Sequence, residues 1–288
     1  MAETFDACGD QCKGSDTRSL LSGEGQRLEK MQGHWLLARA GKRVLRPGGL
    51  ALTRQMIDAL SISQDDRVVE FAPGMGTTAQ MVLSKKPAQY WGVERNPAAA
   101  TRLKTRLPKG TVQIIQAQAE HSGLPSTCAN VVYGEAMLSM QTFEQKKRIL
   151  SEARRLLAAD GRYGIHEICF RPDDISVQKR REIEAEMSKE IHVGVQPLSR
   201  SEWRELFEQF GLKVIWCGEA DLELLEPRRM LQDEGIVGCL RIAFNVARDS
   251  LLRQRILAMR RIFRKYREHL GAISIVGIRS ERIVSLQS

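Results

Sequence analysis

Five short apolar runs punctuate the first part of the chain, at 67–71, 90–93, 111–115, 130–133 and 162–166. Between them lie longer stretches whose apolar residues recur every three or four positions. These are 97–107, 145–159 and a stretch that opens at Gly76. Strands alternating with helices in this way predict a parallel sheet covered on both faces, with right-handed crossovers. Ahead of this region, 24–40 places Leu28, Met31, Trp35, Leu36 and Leu37 at helical spacing, and Gly41 reads as its stop. The breakers of 46–49 read as a loop, and 51–60 as a second short helix. Behind the region the rhythm changes. A charged helix is expected over 173–190, and Ser199 with Glu202 three residues on predicts a capping box. A sixth strand follows at 212–217, then two helices at 227–247 and 250–270, then a seventh strand at 272–278.

This pattern divides the chain into a flexible leader 1–22, a helical cap 23–62, an α/β core of 63–220 and 272–288, and a helical insertion 221–271. The 288 residues suffice for one large domain with such additions. With 42% hydrophobic and 27% charged residues, a packed core is expected. No apolar run is long enough to cross a bilayer, and the N-terminus lacks the basic-then-apolar plan of a signal peptide, so a cytoplasmic location is expected. Of six cysteines only Cys8 and Cys12 lie close together, and that spacing without a second pair is a weak metal signal; no metal is expected.

The chemistry concentrates around Val68-Val-Glu-Phe-Ala-Pro-Gly-Met-Gly-Thr-Thr78. An apolar strand runs into Gly74 and Gly76, which permit a tight turn and close approach of backbone to a ligand. Glu70 is an acid where packing calls for none. Glu94 ends the second strand about twenty residues on, where an acid can accept both hydroxyls of a ribose. The glycine pattern also fits a dinucleotide turn and thus NAD. Glu70, however, would repel a pyrophosphate and suits a cationic ammonium. After the third strand, 116–125 supplies a loop where an adenine would need one.

With these residues in place the chain resembles the class I S-adenosylmethionine-dependent methyltransferases, in the small-molecule branch called type 11. Their acid-x-Gly-x-Gly-x-Gly motif falls on Glu70, Ala72, Gly74 and Gly76, with Ala72 departing from the first glycine. The ribose acid falls on Glu94, followed by Arg95, and the adenine motif on Ala117, Gln118 and Ala119, where Gln118 can meet the adenine amino group. Glu120 is either a further cofactor contact or a cap of the next turn. Leu124-Pro125 and 156–162 match later landmarks, so the likeness runs from about 65 to 280. It implies a Rossmann-like, seven-stranded, mostly parallel sheet with helices on both faces, S-adenosylmethionine as cofactor, and in-line methyl transfer to a small molecule.

Residues beyond the carboxyl ends of strands are the expected place for chemistry, which singles out Glu135 and His166 as candidates for a proton acceptor. The cap, with His34, Trp35 and the 46–49 loop, can fold over the cofactor. The insertion is a candidate substrate cap or homodimer element. Net charge is +9, and 248–269 alone holds eight Lys/Arg against two acids. Its apolar stripe of Leu252, Ile256, Met259, Phe263, Tyr266 and Leu270 leaves arginines elsewhere, a candidate surface for acidic membrane or an anionic ligand. An RNA-directed enzyme is the rival reading. Against it, the site after the fourth strand reads Gly134-Glu-Ala-Met137 rather than the Asn/Asp-Pro-Pro-aromatic turn of base-amine methylation, and no RNA-binding module is visible. A protein that binds the cofactor without turnover is the third.

Overall fold

The computed structural model describes residues 28–280; the leader with Cys8 and Cys12, and the last residues assigned to the core, lie outside them. The cap holds α1 (Gly33–Ala40) and α2 (Gly49–Ala59). Then follow β1 (Arg67–Phe71), α3 (Thr77–Leu83), β2 (Gln89–Val93), α4 (Pro97–Arg106), β3 (Val112–Ile115), β4 (Ala129–Glu135), α5 (Phe143–Leu156) and β5 (Leu157–Phe170). The second part has α6 (Val177–Ile191), β6 (Leu198–Ser199), α7 (Arg200–Gln209), β7 (Leu212–Asp221), α8 (Pro227–Arg248), α9 (Ser250–Lys265) and β8 (Leu270–Arg279).

The strands form one sheet in the order β3-β2-β1-β4-β5-β8-β7, with β6 attached to β5. The first five run parallel, and β8 lies antiparallel between β5 and β7. The eighth strand was not expected: β6 is two residues long, too short for alternation to show. Helix α6 starts at Val177 instead of 173 because Ser176 is its cap, its side chain accepting from the Lys179 N–H. The Ser199–Glu202 capping box forms as expected. Helix α9 ends at Lys265, short of the expected 270, and the chain turns into β8.

Alternation along the strands builds two faces. Val69, Phe71, Val132 and Ile165 pack beneath α5 and α7 with Ile149, Leu206 and Phe207. Val68, Tyr90, Val131 and Tyr133 pack on the opposite face with Met56 of α2, its C-cap Leu60, Val82 of α3 and Leu103 of α4. A third apolar cluster joins α1, α6, α8 and α9. The stripe that runs through α9 packs on other helices together with Phe170 of β5 and Leu270 of β8: Leu252, Met259, Phe263 and Tyr266 are buried in this cluster. Helix α6, expected within the core, packs in the same cluster through Ile183, Met187 and Ile191.

The basic face of 248–269 also differs from expectation. Arg255 is buried and donates to the carbonyls of Leu28, Met31 and Glu190. Arg260 and Arg264 both pair with Glu226, and Lys265 pairs with Glu186. Part of the apparent excess is therefore internal pairing, while Arg248, Arg253 and Arg261 stay exposed with no acid partner among the described residues.

The cap is held to the insertion by two acids of α8. Gly235 breaks that helix at φ 70, ψ 175. Just before the break, Glu234 Oε1 accepts from the backbone N–H groups of Arg43 and Val44, both at 2.9 Å. Buried Lys42 lies 3.6 Å from the same oxygen. Asp233 Oδ1 accepts from Leu50 N at 2.9 Å, capping α2 from a distant part of the chain. Replacing Glu234 by Ala strands two backbone donors and a buried ammonium. Chemical unfolding should show a loss of about 3 kcal/mol; a loss under about 0.5 kcal/mol, the scatter of ordinary surface changes, would contradict this role.

Candidate active site

The carboxyl ends of β1 to β4 open into a cavity of about 620 Å³, within the usual range for small-molecule sites. Its wall includes Glu70, Ala72, Gly74, Glu94, Arg95, Gln118, Ala119, Glu120 and Glu135. Gly76 stands just outside, at the start of α3. It has φ 75, and a Cβ there would meet Leu103 at 2.8 Å, so glycine is required by conformation and by packing. Gly74 has φ 52, and a Cβ there would have nothing closer than the Ala72 carbonyl oxygen at 3.8 Å, which leaves the loop backbone open to a ligand. Ala72 also takes a left-handed conformation, φ 52, which costs a residue with a Cβ about 1 kcal/mol.

Glu94 is buried, and each of its oxygens already serves the loops. Oε2 accepts from Gly74 N at 3.0 Å and Oε1 from Asn96 N at 2.8 Å. A carboxylate so fixed retains lone pairs for two vicinal hydroxyls. Glu70 is buried beside it, and its Oε2 accepts from the phenols of Tyr90 and Tyr133. Burial pushes the Glu70 carboxyl up to about 7, aided by nearby Glu135 and opposed by the two phenols and Arg46. Such a carboxyl lacks a full countercharge, and a ligand ammonium entering the cavity would supply it. These features fit S-adenosylmethionine: an open glycine cradle, a fixed acid for the ribose and an acid short of a cation. A pyrophosphate would meet Glu70 and Glu94 with no compensating cation on the glycine loop itself.

The expected catalytic pair is arranged otherwise than the sequence suggested. Glu135 and His166 are register partners on β4 and β5, which brings their side chains together. Glu135 Oε1 accepts from Thr53 Oγ1 at 2.6 Å and lies 2.9 Å from His166 Nδ1. Its Oε2 accepts from Arg46 and Thr78. Burial alone would raise this carboxyl, but Arg46, His166 and Thr53 outweigh it and hold Glu135 at about 2. A carboxylate so satisfied is a poor proton acceptor at neutral pH. His166 is fully buried, does not line the cavity and gives its Nε2–H to the Pro47 carbonyl. Both residues fasten the 46–47 loop to the sheet.

Arg46 and His34, expected only within the elements that cover the cofactor, both reach the cavity wall. Arg46 was visible only as part of a loop; its pairing with Glu135, 89 positions away, leaves no local signal. His34 was assigned to a lid, and its position on the cavity wall follows from α1 lying across the site. Its Nδ1 is buried without a hydrogen-bond partner. Burial and then the charge of Arg95 push His34 down to about 4, so its ring is neutral at pH 7.

Because Glu135 is held below the ordinary carboxylate range, its stabilising contribution is complete above pH 4.5 and is lost as pH falls towards 2. Glu135→Gln should therefore destabilise by about 2–3 kcal/mol at pH 7. The gap to the parent should narrow as unfolding is measured at successively lower pH from 4.5. A gap that does not change with pH would show that the carboxyl is not so perturbed.

Residues 69–165 match the family described as methyltransferase domain, type 11. A protein of Haemophilus influenzae, described only as uncharacterized, is 29% identical over 254 residues, covering 87% of this chain and 98% of its own length. Among solved structures the fold resembles that of MccD protein, with TM-score 0.64 and 16% identity over 82% of this chain and 99% of that one. It also resembles geranyl diphosphate C-methyltransferase from Streptomyces coelicolor A3(2), solved with Mg²⁺, geranyl diphosphate and S-adenosyl-L-homocysteine, at TM-score 0.57 and 16% identity over 80% and 77%. At these identities the structural likeness speaks to fold, while the matched segment contains Glu70, Gly74, Glu94 and Gln118 of the cavity and Gly76 just outside it. The match to a methyltransferase domain thus falls on the segment that builds the glycine turn and the two acids beside it.

Proposed function

We propose that this chain is an S-adenosylmethionine-dependent methyltransferase that acts on a small acceptor with an apolar or aromatic body, bound between the cap and the end of β4. The observation that carries this reading is the make-up of the cavity wall. The side nearest β1, β2 and β3 holds the residues suited to the cofactor. The side made by the cap and the β4 end contributes Trp35, Leu45, Met137, Met140 and Val193. Arg43 and Arg46 also reach the wall, but each is paired, with Glu234 and Glu135. An anionic acceptor is therefore less well served here than an apolar one.

The cofactor supplies an electrophilic methyl on sulfonium, and the chain's part is largely to align and enclose. Glu94 would hold the ribose hydroxyls, Gln118 the adenine amino group, and Glu70 the ammonium; Arg95, Ala119 and Glu120 line the same space. His34, neutral and with an unpartnered nitrogen, would accept a hydrogen bond from a hydroxyl or amine of the acceptor and so orient it towards the methyl. Glu135 and His166 would act as positioning residues that keep Arg46 and its loop closed over the cavity.

Three outcomes test this reading. Calorimetry should detect S-adenosylhomocysteine and no NAD, and Glu94→Ala should weaken the first by about 1.5–3 kcal/mol; an unchanged dissociation constant would remove Glu94 from the ribose. The cofactor's ammonium favours ionised Glu70, so affinity should fall as pH drops below about 7. Glu70→Gln should flatten that dependence, and an equally steep profile in the variant would assign it elsewhere. Finally, labelled methyl from S-adenosylmethionine, offered to a fractionated cell extract, should appear in organic-soluble small molecules. Label confined to RNA would establish the rival reading.

A further inference from the structure

Helix α8 turns an apolar face outward. Ile236, Val237, Leu240 and Phe244 are 69%, 71%, 66% and 54% exposed. Their spacing sets them on one side of the segment after the Gly235 break, whereas Gly238 and Ile242 face inward. A contiguous exposed patch of this kind marks an interaction surface more often than a scattered residue does. Its border is cationic. Arg241 and Arg248 follow the stripe at helical spacing, and the Arg248 guanidinium lies 4.6 Å from the Phe244 ring centroid. Neither has an acid partner among the described residues. The only acids of α8, Asp233 and Glu234, are buried against the cap.

We infer that this face of α8 docks the protein on an anionic lipid bilayer. An amphipathic helix with bulky apolar residues in the middle and arginines at the edge lies naturally at the boundary of headgroups and acyl chains. The guanidinium groups reach outward to phosphates while their stems lie on apolar surface. The chain's net charge of +9 favours the same approach. A second copy is the obvious other occupant. A two-fold contact, however, would set this patch against itself, and α8 exposes no acid to receive Arg241 and Arg248. A nucleic acid would meet an apolar centre where phosphates need cations. Docking here would also bear on the site, since the Asn245 amide donates to the Ala40 carbonyl and Glu234 grips 43–44. The inference stands on this surface alone and does not require the acceptor class proposed above.

Sedimentation of the full chain with vesicles tests it. The protein should pellet with mixed phosphatidylcholine–phosphatidylglycerol vesicles at low salt, and with phosphatidylcholine alone only weakly. High salt should reduce binding. Arg241→Gln with Arg248→Gln should weaken it by about thirtyfold. Leu240→Ser with Phe244→Ser should abolish it, with S-adenosylhomocysteine affinity retained as a check on the fold. Failure to pellet with acidic vesicles, or equal binding by the serine variant, would overturn the inference. So would a dimer in light scattering that the serine variant splits, which would assign the face to a second copy.

Discussion

The buried ion pair between Arg46 and Glu135 is the constraint around which the site is arranged. Each charge is withdrawn from water, so each needs the other together with the hydroxyls of Thr53 and Thr78. That requirement fixes the loop after α1 over the ends of β1 and β4. His166 reinforces it from inside the sheet, bridging Glu135 to the Pro47 carbonyl. Glu234 and Asp233 hold the same loop from the opposite side. The cavity is therefore closed by electrostatics as well as by apolar packing. Glu70, in contrast, is left with phenols and no full countercharge, which makes it the acid available to a cationic ligand.

The order of strands and helices was legible because a parallel sheet covered on both faces needs apolar runs separated by amphipathic helices. The cofactor side of the cavity was legible for a related reason: Glu70, Gly74, Gly76 and Glu94 occupy strand ends and a turn, where local sequence reports backbone demands directly. Glu135 and His166 could be placed at strand ends but not given their work. What distinguishes them is the company of Arg46, Thr53 and Thr78, drawn from the cap and α3. Asp233 and Glu234 were missed altogether. Their partners lie more than 180 positions away, and an acid pair ahead of a glycine looks locally like a solvated helix face. The two-residue β6 has no periodicity to read.

Charge and apolar patterning misled in one place and informed in another. The density of arginines in 248–269 suggested an open cationic face, yet tertiary pairing with Glu226 and Glu186 and the burial of Arg255 absorb part of it. In α8 the reverse holds. Its acids turn inward, leaving exposed arginines beside exposed aliphatic residues. Which face of a helix is charged is decided by what the buried face must satisfy, and here that is the backbone of the cap.

Amide hydrogen exchange with and without S-adenosylhomocysteine addresses the arrangement most directly. The ligand should slow exchange at 72–78, 94–96 and 117–120, and together with them at 32–46, because the cap closes the same cavity. Protection at the strand ends with the cap unchanged would contradict the account, as would no protection at either.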